Sequence, residues 1–188
     1  MKKILTSSQT VGPFFHFGLK PIPVLSSEDI AGERITITGA LLDGAGARIN
    51  DAMIEIWQAN SRGKYNHPED DQDLQTTAGF TGFGRVFLDA EGGFEIKTIK
   101  PGPVAWPESG QQAPHINISV FARGVLRRMA TRVYFAGEPA NDEDPVLNLI
   151  GEPSRRNTLL AQPAPGQPGA YIWNIVLKGE GETVFFEV

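Results

Sequence analysis

Along most of this chain, apolar and polar residues alternate in short runs that end on Gly, Pro, Asn or Asp, the pattern of half-buried strands joined by turns. RITITGALL at 34–42 sets Ile35, Ile37, Gly39 and Leu41 on one face against Arg34, Thr36 and Thr38. After a DGAGAR turn, DAMIEIWQA at 51–59 predicts the next strand. GRVFLDAEGGFEIKTIKPG predicts a hairpin: a strand at 84–88, an AEGG turn, and a strand at 93–99 with Phe94, Ile96 and Thr98 opposed to Glu95, Lys97 and Ile99. Two further strands, 115–122 and 131–135, are joined through RGVLRR. AYIWNIVLK at 170–178 and ETVFFEV at 182–188 predict a closing hairpin around GEGE.

The intervening segments are of two kinds. ANSRGKYNHPEDD at 59–71 is a loop by composition, and 72–83 is irregular. Residues 138–170 are rich in Pro, Asp and Glu and hold two short helical candidates, 145–150 and 153–161; in the second, Ser154 is placed to cap and Leu159-Leu160 to pack down. Residues 1–25 form an arm that Pro13, Pro21 and Pro23 keep extended. Its cluster of Phe14, Phe15, Phe17 and Leu19 is too apolar for a free tail, so the arm packs either on its own sandwich or across a partner subunit. With Gly and Pro making up 35 of 188 residues and no repeat or linker, the expectation is an all-β sandwich or barrel, one domain over 1–188.

Composition narrows the function. A net charge of -5 argues against a polyanion-binding surface, and nucleic-acid binding is not expected. The absence of cysteine removes disulfides, thiolate metal sites and a cysteine nucleophile, and fits a reducing compartment. No run approaches the ~18 apolar residues of a membrane span. The apolar residues after Lys2 and Lys3 are interrupted by TSSQT, so no signal-peptide core is predicted and a cytoplasmic protein is expected.

Candidate chemistry concentrates in TIKPGPVAWPESGQQAPHINISVFAR, Thr98 to Arg123. Its strand places His115, Asn117 and Ser119 on one face, against Ile116, Ile118 and Val120. Two side chains at i and i+2 can reach one metal ion, but here the second is Asn, an amide that binds transition metals poorly. The 59–71 loop holds Tyr65 and His67, which are either a ligand pair for ferric iron or two exposed loop residues.

EIWQANSRGKY at 55–65, GRVFLDAEGGFEIKTIKPGPVAW at 84–106, APHINISVFARG at 113–124 and TRVYFAGEP at 131–139 occur in this order. Together they resemble the intradiol ring-cleaving dioxygenases, over nearly the whole chain from SQTVGPFF at 8–15 to GEGETVFFEV at 179–188. The resemblance implies a β-sandwich of mixed sheets with long loops and one or two short helices. It also implies a non-haem Fe(3+) held by two tyrosines and two histidines in members that do the chemistry. The first tyrosine position is Tyr65 and the first histidine position His115; the second tyrosine position holds Val104 and the second histidine position Asn117. An arginine of the family falls at or near Gln112.

With those positions lost, no metal is expected in this chain. The resemblance implies an iron-free alpha-type subunit of a heteromeric oxidoreductase, paired with a homologous iron-bearing beta subunit in a higher-order alpha–beta oligomer. That enzyme would cleave an aromatic dihydroxy acid, 3,4-dihydroxybenzoate, to 3-carboxy-cis,cis-muconate. Thr10, Val11, Gly12 and Pro13 of the arm would line the partner's substrate pocket, Gly12 letting the backbone approach a ligand. Arg132 is a candidate for the pocket or the subunit interface, or a strand residue paired with a surface acid. The alternatives are a self-sufficient metalloenzyme using Tyr65 and His115 with His67, and a non-enzymatic β-sandwich that binds aromatic acids.

Overall fold

A computed structural model describes residue 12 and residues 15–25, 29–107 and 110–187. A single helical turn, α1 (Phe15–Gly18), precedes β1 (Arg34–Leu42), β2 (Ala52–Trp57), β3 (Phe83–Phe87) and β4 (Gly93–Ile99). Two short strands follow, β5 (Val104–Ala105) and β6 (Gln111–Gln112), then β7 (His115–Ala122) and β8 (Met129–Phe135). Two one-turn helices, α2 (Pro145–Leu149) and α3 (Pro153–Asn157), lead to β9 (Leu160–Pro163), β10 (Ala170–Ile172) and β11 (Ile175–Val176).

The strands form two layers. In one, β3, β2, β7 and β8 run antiparallel in that order, and β9 adds parallel to β8. In the other, β1 pairs antiparallel with β4 and parallel with both β10 and β11. Strand β9 also pairs with β10 and so ties the layers into one mixed ladder. Between them lies an aliphatic core in which Ile37, Ile54, Ile56, Ile96 and Ile116 are fully buried. At about 25 cal/mol per Å² of apolar surface, this layer is the main driving force for folding. A smaller cluster of Ala113, Tyr134, Leu147 and Leu159 forms where α2 covers the end of β7 and β8. The fold is therefore the expected all-β sandwich of mixed sheets.

Several local expectations are corrected. The 84–99 segment is not a paired hairpin: β3 pairs with β2 and β4 with β1, so its turn carries the chain from one layer to the other. The Asp89 carboxylate holds that turn by accepting from the amides of Glu91 and Gly93. Each strand thus meets an apolar face across the core rather than beside it.

The 170–178 run breaks at Trp173-Asn174 into β10 and β11. Trp173 N bonds Thr38 O, and Ala40 N bonds Asn174 Oδ1 at 2.9 Å. The tail after GEGE bonds β11 at Thr183 and then leaves to bridge Phe186 to Ala130 of β8. Helix α3 ends at Asn157 because Leu160 and Ala161 are taken into β9, opposite Tyr134 and Phe135. Ser154 does not cap it; its hydroxyl bonds Glu152 instead.

The arm is not extended throughout, since Phe15–Gly18 makes a helical turn. Its described part packs on this chain's own sandwich: Phe15 stacks on Phe87 at 6.1 Å, Ile22 bridges Arg85, and Val24 is buried. Phe17, by contrast, is 86% exposed.

Strand β1 accepts its parallel neighbours only because position 39 lacks a side chain. A Cβ on Gly39 would lie 1.7 Å from the Trp173 carbonyl oxygen. Gly39→Ala should therefore destabilise by on the order of 3 kcal/mol, read as a fall in Tm of roughly 6–12 °C by circular dichroism.

Candidate functional site

The loop bearing Tyr65 is built by Asn60. Its side-chain oxygen accepts from the amides of Arg62 and Lys64, and its Nδ2 donates to Gln75 O and Thr77 Oγ1. Gly63, at φ 86°, brings this loop against the Pro103 carbonyl, where a Cβ would sit 1.9 Å from the oxygen. That approach sets Tyr65 beside the segment carrying Val104. Lys64 is buried, with its ammonium bonded to the carbonyls of Asp70 and Gln72 and to Asp70 Oδ1 at 3.1 Å. Burial alone would raise the Asp70 carboxyl, but bonds from Tyr65 N, Lys64 and Gln72 outweigh it and hold the group below its ordinary value.

Strand register supplies the rest. Across β7 and β8, His115 lies opposite Tyr134 and Asn117 opposite Arg132; across β2 and β7, Trp57 lies opposite Asn117. The Tyr65 ring stacks on Trp57 at 5.6 Å, and its hydroxyl lies 3.5 Å from His115 Nε2. Asn117 Nδ2 donates to the Tyr65 hydroxyl at 3.0 Å and to Trp57 O at 3.2 Å. Because a carbonyl only accepts, that shared atom is the amide nitrogen. His115 Nδ1 donates to Ala113 O at 2.7 Å, which fixes the tautomer and turns a bare Nε2 toward Tyr65.

The electrostatics keep this cluster neutral. Burial, then the nearby Arg132 charge, lowers His115 from 6.5 to about 4. Burial raises the Tyr65 phenol, against the opposing effects of Asn117 and Arg132. Arg132 Nη1 donates to Gln112 Oε1 at 2.8 Å and to the Tyr134 hydroxyl at 3.2 Å. The Tyr134 hydroxyl in turn donates to Asp144 Oδ1. Tyr134 is raised too, by burial first and then by the Asp144 charge.

These residues do not fit a ferric ion. Val104 is buried, pairs with Gln112 across β5 and β6, and carries no donor atom. Asn117 turns its NH2, which only donates, to the Tyr65 hydroxyl. Among the described residues there is no group of three or more His, Cys, Asp or Glu that could hold a metal. His67 is exposed; its Nδ1 accepts from Glu69 N and its ring meets the edge of Trp57. Tyr65 is half-buried, so of the two only His67 is an exposed loop residue.

Two cavities flank Trp57. One, of about 780 Å³, opens over Tyr65 between Val104 and Trp106, with Glu69 and Asp71 in its walls. The other, of about 530 Å³, lies over β2, β7 and β8 and is lined in part by Asn117, Ser119, Arg128 and Arg132. The first carries Glu69, Asp70 and Asp71 beside His67; the second holds two guanidiniums, Arg128 and Arg132, and two carboxylates, Glu55 and Glu187, of which Glu55 is already paired with Arg85.

Of the arm residues named from sequence, Gly12 has φ 72° and a Cβ there would meet nothing within 4 Å. Thr10, Val11 and Pro13 lie outside the described residues. Sequence reasoning missed Tyr134 and Asp144. The Asp144-Pro145 pair is a helix-start signal: the carboxylate accepts from the amides of Val146 and Leu147.

The chain belongs to the intradiol dioxygenase family; the family described as dioxygenase matches residues 21–179. In particular, it is 40% identical to the protocatechuate 3,4-dioxygenase alpha chain of Burkholderia cepacia, across 97% of both chains. It is 34% identical to the beta chain from the same organism, over 94% of this chain and 77% of that one. Among solved structures, the dioxygenase domain of a dioxygenase and carbohydrate-binding fusion from Streptomyces sp. SirexAA-E superposes with a TM-score of 0.60 at 25% identity, covering 93% of this chain and 98% of that one.

The folded state refuses a proton at His115 that the unfolded chain accepts. Stability is therefore full above pH 6.5 and falls as pH drops toward about 4, by on the order of 3 kcal/mol. In urea titrations at successive pH values, His115→Gln should lose most of this slope relative to the parent chain.

Proposed function

We propose that this chain is the non-catalytic, alpha-type subunit of a heteromeric protocatechuate 3,4-dioxygenase, folded as one domain over 1–188. The observation that carries the reading is the neutral cluster of Tyr65, Asn117 and His115, in a chain that matches an alpha chain end to end. The likeness to a beta chain supports a homologous partner, in which the iron would reside. Bound there, iron supplies activation of the catechol and O2, and both oxygen atoms enter 3-carboxy-cis,cis-muconate. The assembly is a higher-order alpha–beta oligomer acting in the cytoplasm; among the described residues, no helix is long and apolar enough to cross a membrane.

This chain's own part is to shape the pocket. Thr10 to Pro13 line the partner's substrate site. A positive φ at Gly12 lets the backbone approach a ligand without a Cβ between them. Arg132 meets the substrate carboxylate: it lines a cavity with a second arginine, Arg128, in which Glu55 is already paired with Arg85, while the cavity over Tyr65 holds three carboxylates.

Iron content and the visible spectrum test the reading directly. The chain alone should be colourless and iron-free, and the co-purified complex should absorb in the tyrosinate-to-iron region and cleave 3,4-dihydroxybenzoate. Stoichiometric iron and colour in the chain alone would overturn it in favour of a self-sufficient metalloenzyme. The arm has its own test. Gly12→Val should cut kcat/KM of the complex about tenfold or more. Its Tm should move by only about 2–4 °C, the cost of a strained backbone. Unchanged kinetics would remove the arm from the pocket.

A further inference from the structure

We propose that Gln112 is a positioning residue: with Tyr134 beside it, its amide aims the Arg132 guanidinium at the substrate carboxylate. This rests on the placement of Arg132 in the pocket given above. Arg132 ends a long, rotamer-rich side chain, and an arginine that must be ordered at the moment of binding gives up affinity to that ordering. Here the ordering is already done. Nη1 is caught between two acceptors that approach from different strands, Gln112 Oε1 on β6 at 2.8 Å and the Tyr134 hydroxyl on β8 at 3.2 Å. Both bonds use that one nitrogen, so among the described residues Nε and Nη2 remain to be offered to a carboxylate as a fork.

The two acceptors are themselves fixed. Arginine only donates, so the Gln112 amide must present its oxygen. Gln112 is 7% exposed, held on β6 by pairing opposite Val104, with its Nε2 directed to Ala105 O. Asp144, wholly buried, sits behind both acceptors. Its Oδ2 takes the amide of Ala113, the residue after Gln112, at 2.7 Å, and its Oδ1 takes the Tyr134 hydroxyl. That hydroxyl therefore spends its proton on Asp144 and turns a lone pair toward Arg132.

The neutrality of Gln112 is part of the device. A carboxylate at this position would orient the guanidinium equally well but would also pair with its charge, which an anionic substrate must then compete against. An amide orients without neutralising. The nearest buried carboxylate, Asp144, reaches Arg132 only through the Tyr134 hydroxyl.

The test uses the assembled alpha–beta complex and two substrates, 3,4-dihydroxybenzoate and catechol, which lacks the carboxylate. Arg132→Ala should raise KM for the benzoate about 10- to 100-fold, the loss of a hydrogen-bonded charge, while leaving KM for catechol unchanged. Gln112→Ala should raise the same KM about three- to tenfold, with kcat within about twofold, and should add nothing in the Arg132→Ala background. Gln112→Glu, which keeps size and folding, should raise KM for the benzoate at least as much. If Arg132→Ala leaves KM for the benzoate unchanged, the placement of Arg132 in the pocket fails and this inference with it. If Arg132→Ala acts but both Gln112 variants leave KM unchanged, or change it equally for the two substrates, positioning by Gln112 is overturned and the placement of Arg132 stands.

Discussion

The register between β7 and β8 is the constraint from which the site follows. By setting His115 against Tyr134 and Asn117 against Arg132, it gathers four polar side chains on one face of a sheet whose other face, with Ile116, Ile118, Val133 and Phe135, is mostly apolar. A slip of one residue would exchange those faces, sending Ile116 and Ile118 outward and the polar set into the core. Burial of the isoleucines thus fixes the polar geometry, and the hydrogen bonds among His115, Tyr65 and Asn117 are formed on a scaffold already determined by the core.

That scaffold was legible in the sequence where the physics is local. The alternation of Ile35, Ile37 and Leu41, and of Phe94, Ile96 and Thr98, marks β1 and β4 because a pleated strand repeats every two residues. It does not say which strands pair. The AEGG turn reverses the chain, yet nothing in it shows that β3 and β4 belong to opposite layers; that depends on β1 and β2, more than thirty residues earlier. Strand β9 hides within LLAQPAPG because its order comes from Tyr134 and Phe135 alongside it, not from its own residues.

The site divides in the same way. Tyr65, His115, Asn117 and Val104 could be named from motifs, since side-chain type at each position already says what can and cannot hold a metal. The second tier could not. Asp144 gains its importance by meeting Ala113 and Tyr134, and Lys64 by being enclosed in carbonyls of its own loop. Contacts of that kind leave no periodic trace.

The Tyr65–Asn117–His115 cluster has one more consequence. A metal-holding site brings charges and lone pairs together and stays unstable until the ion arrives, so such a chain matures only as fast as the ion is supplied. Here the three side chains are neutral and satisfy one another. This part of the fold is therefore complete on the chain's own hydrogen bonds, and its formation does not wait on a ligand.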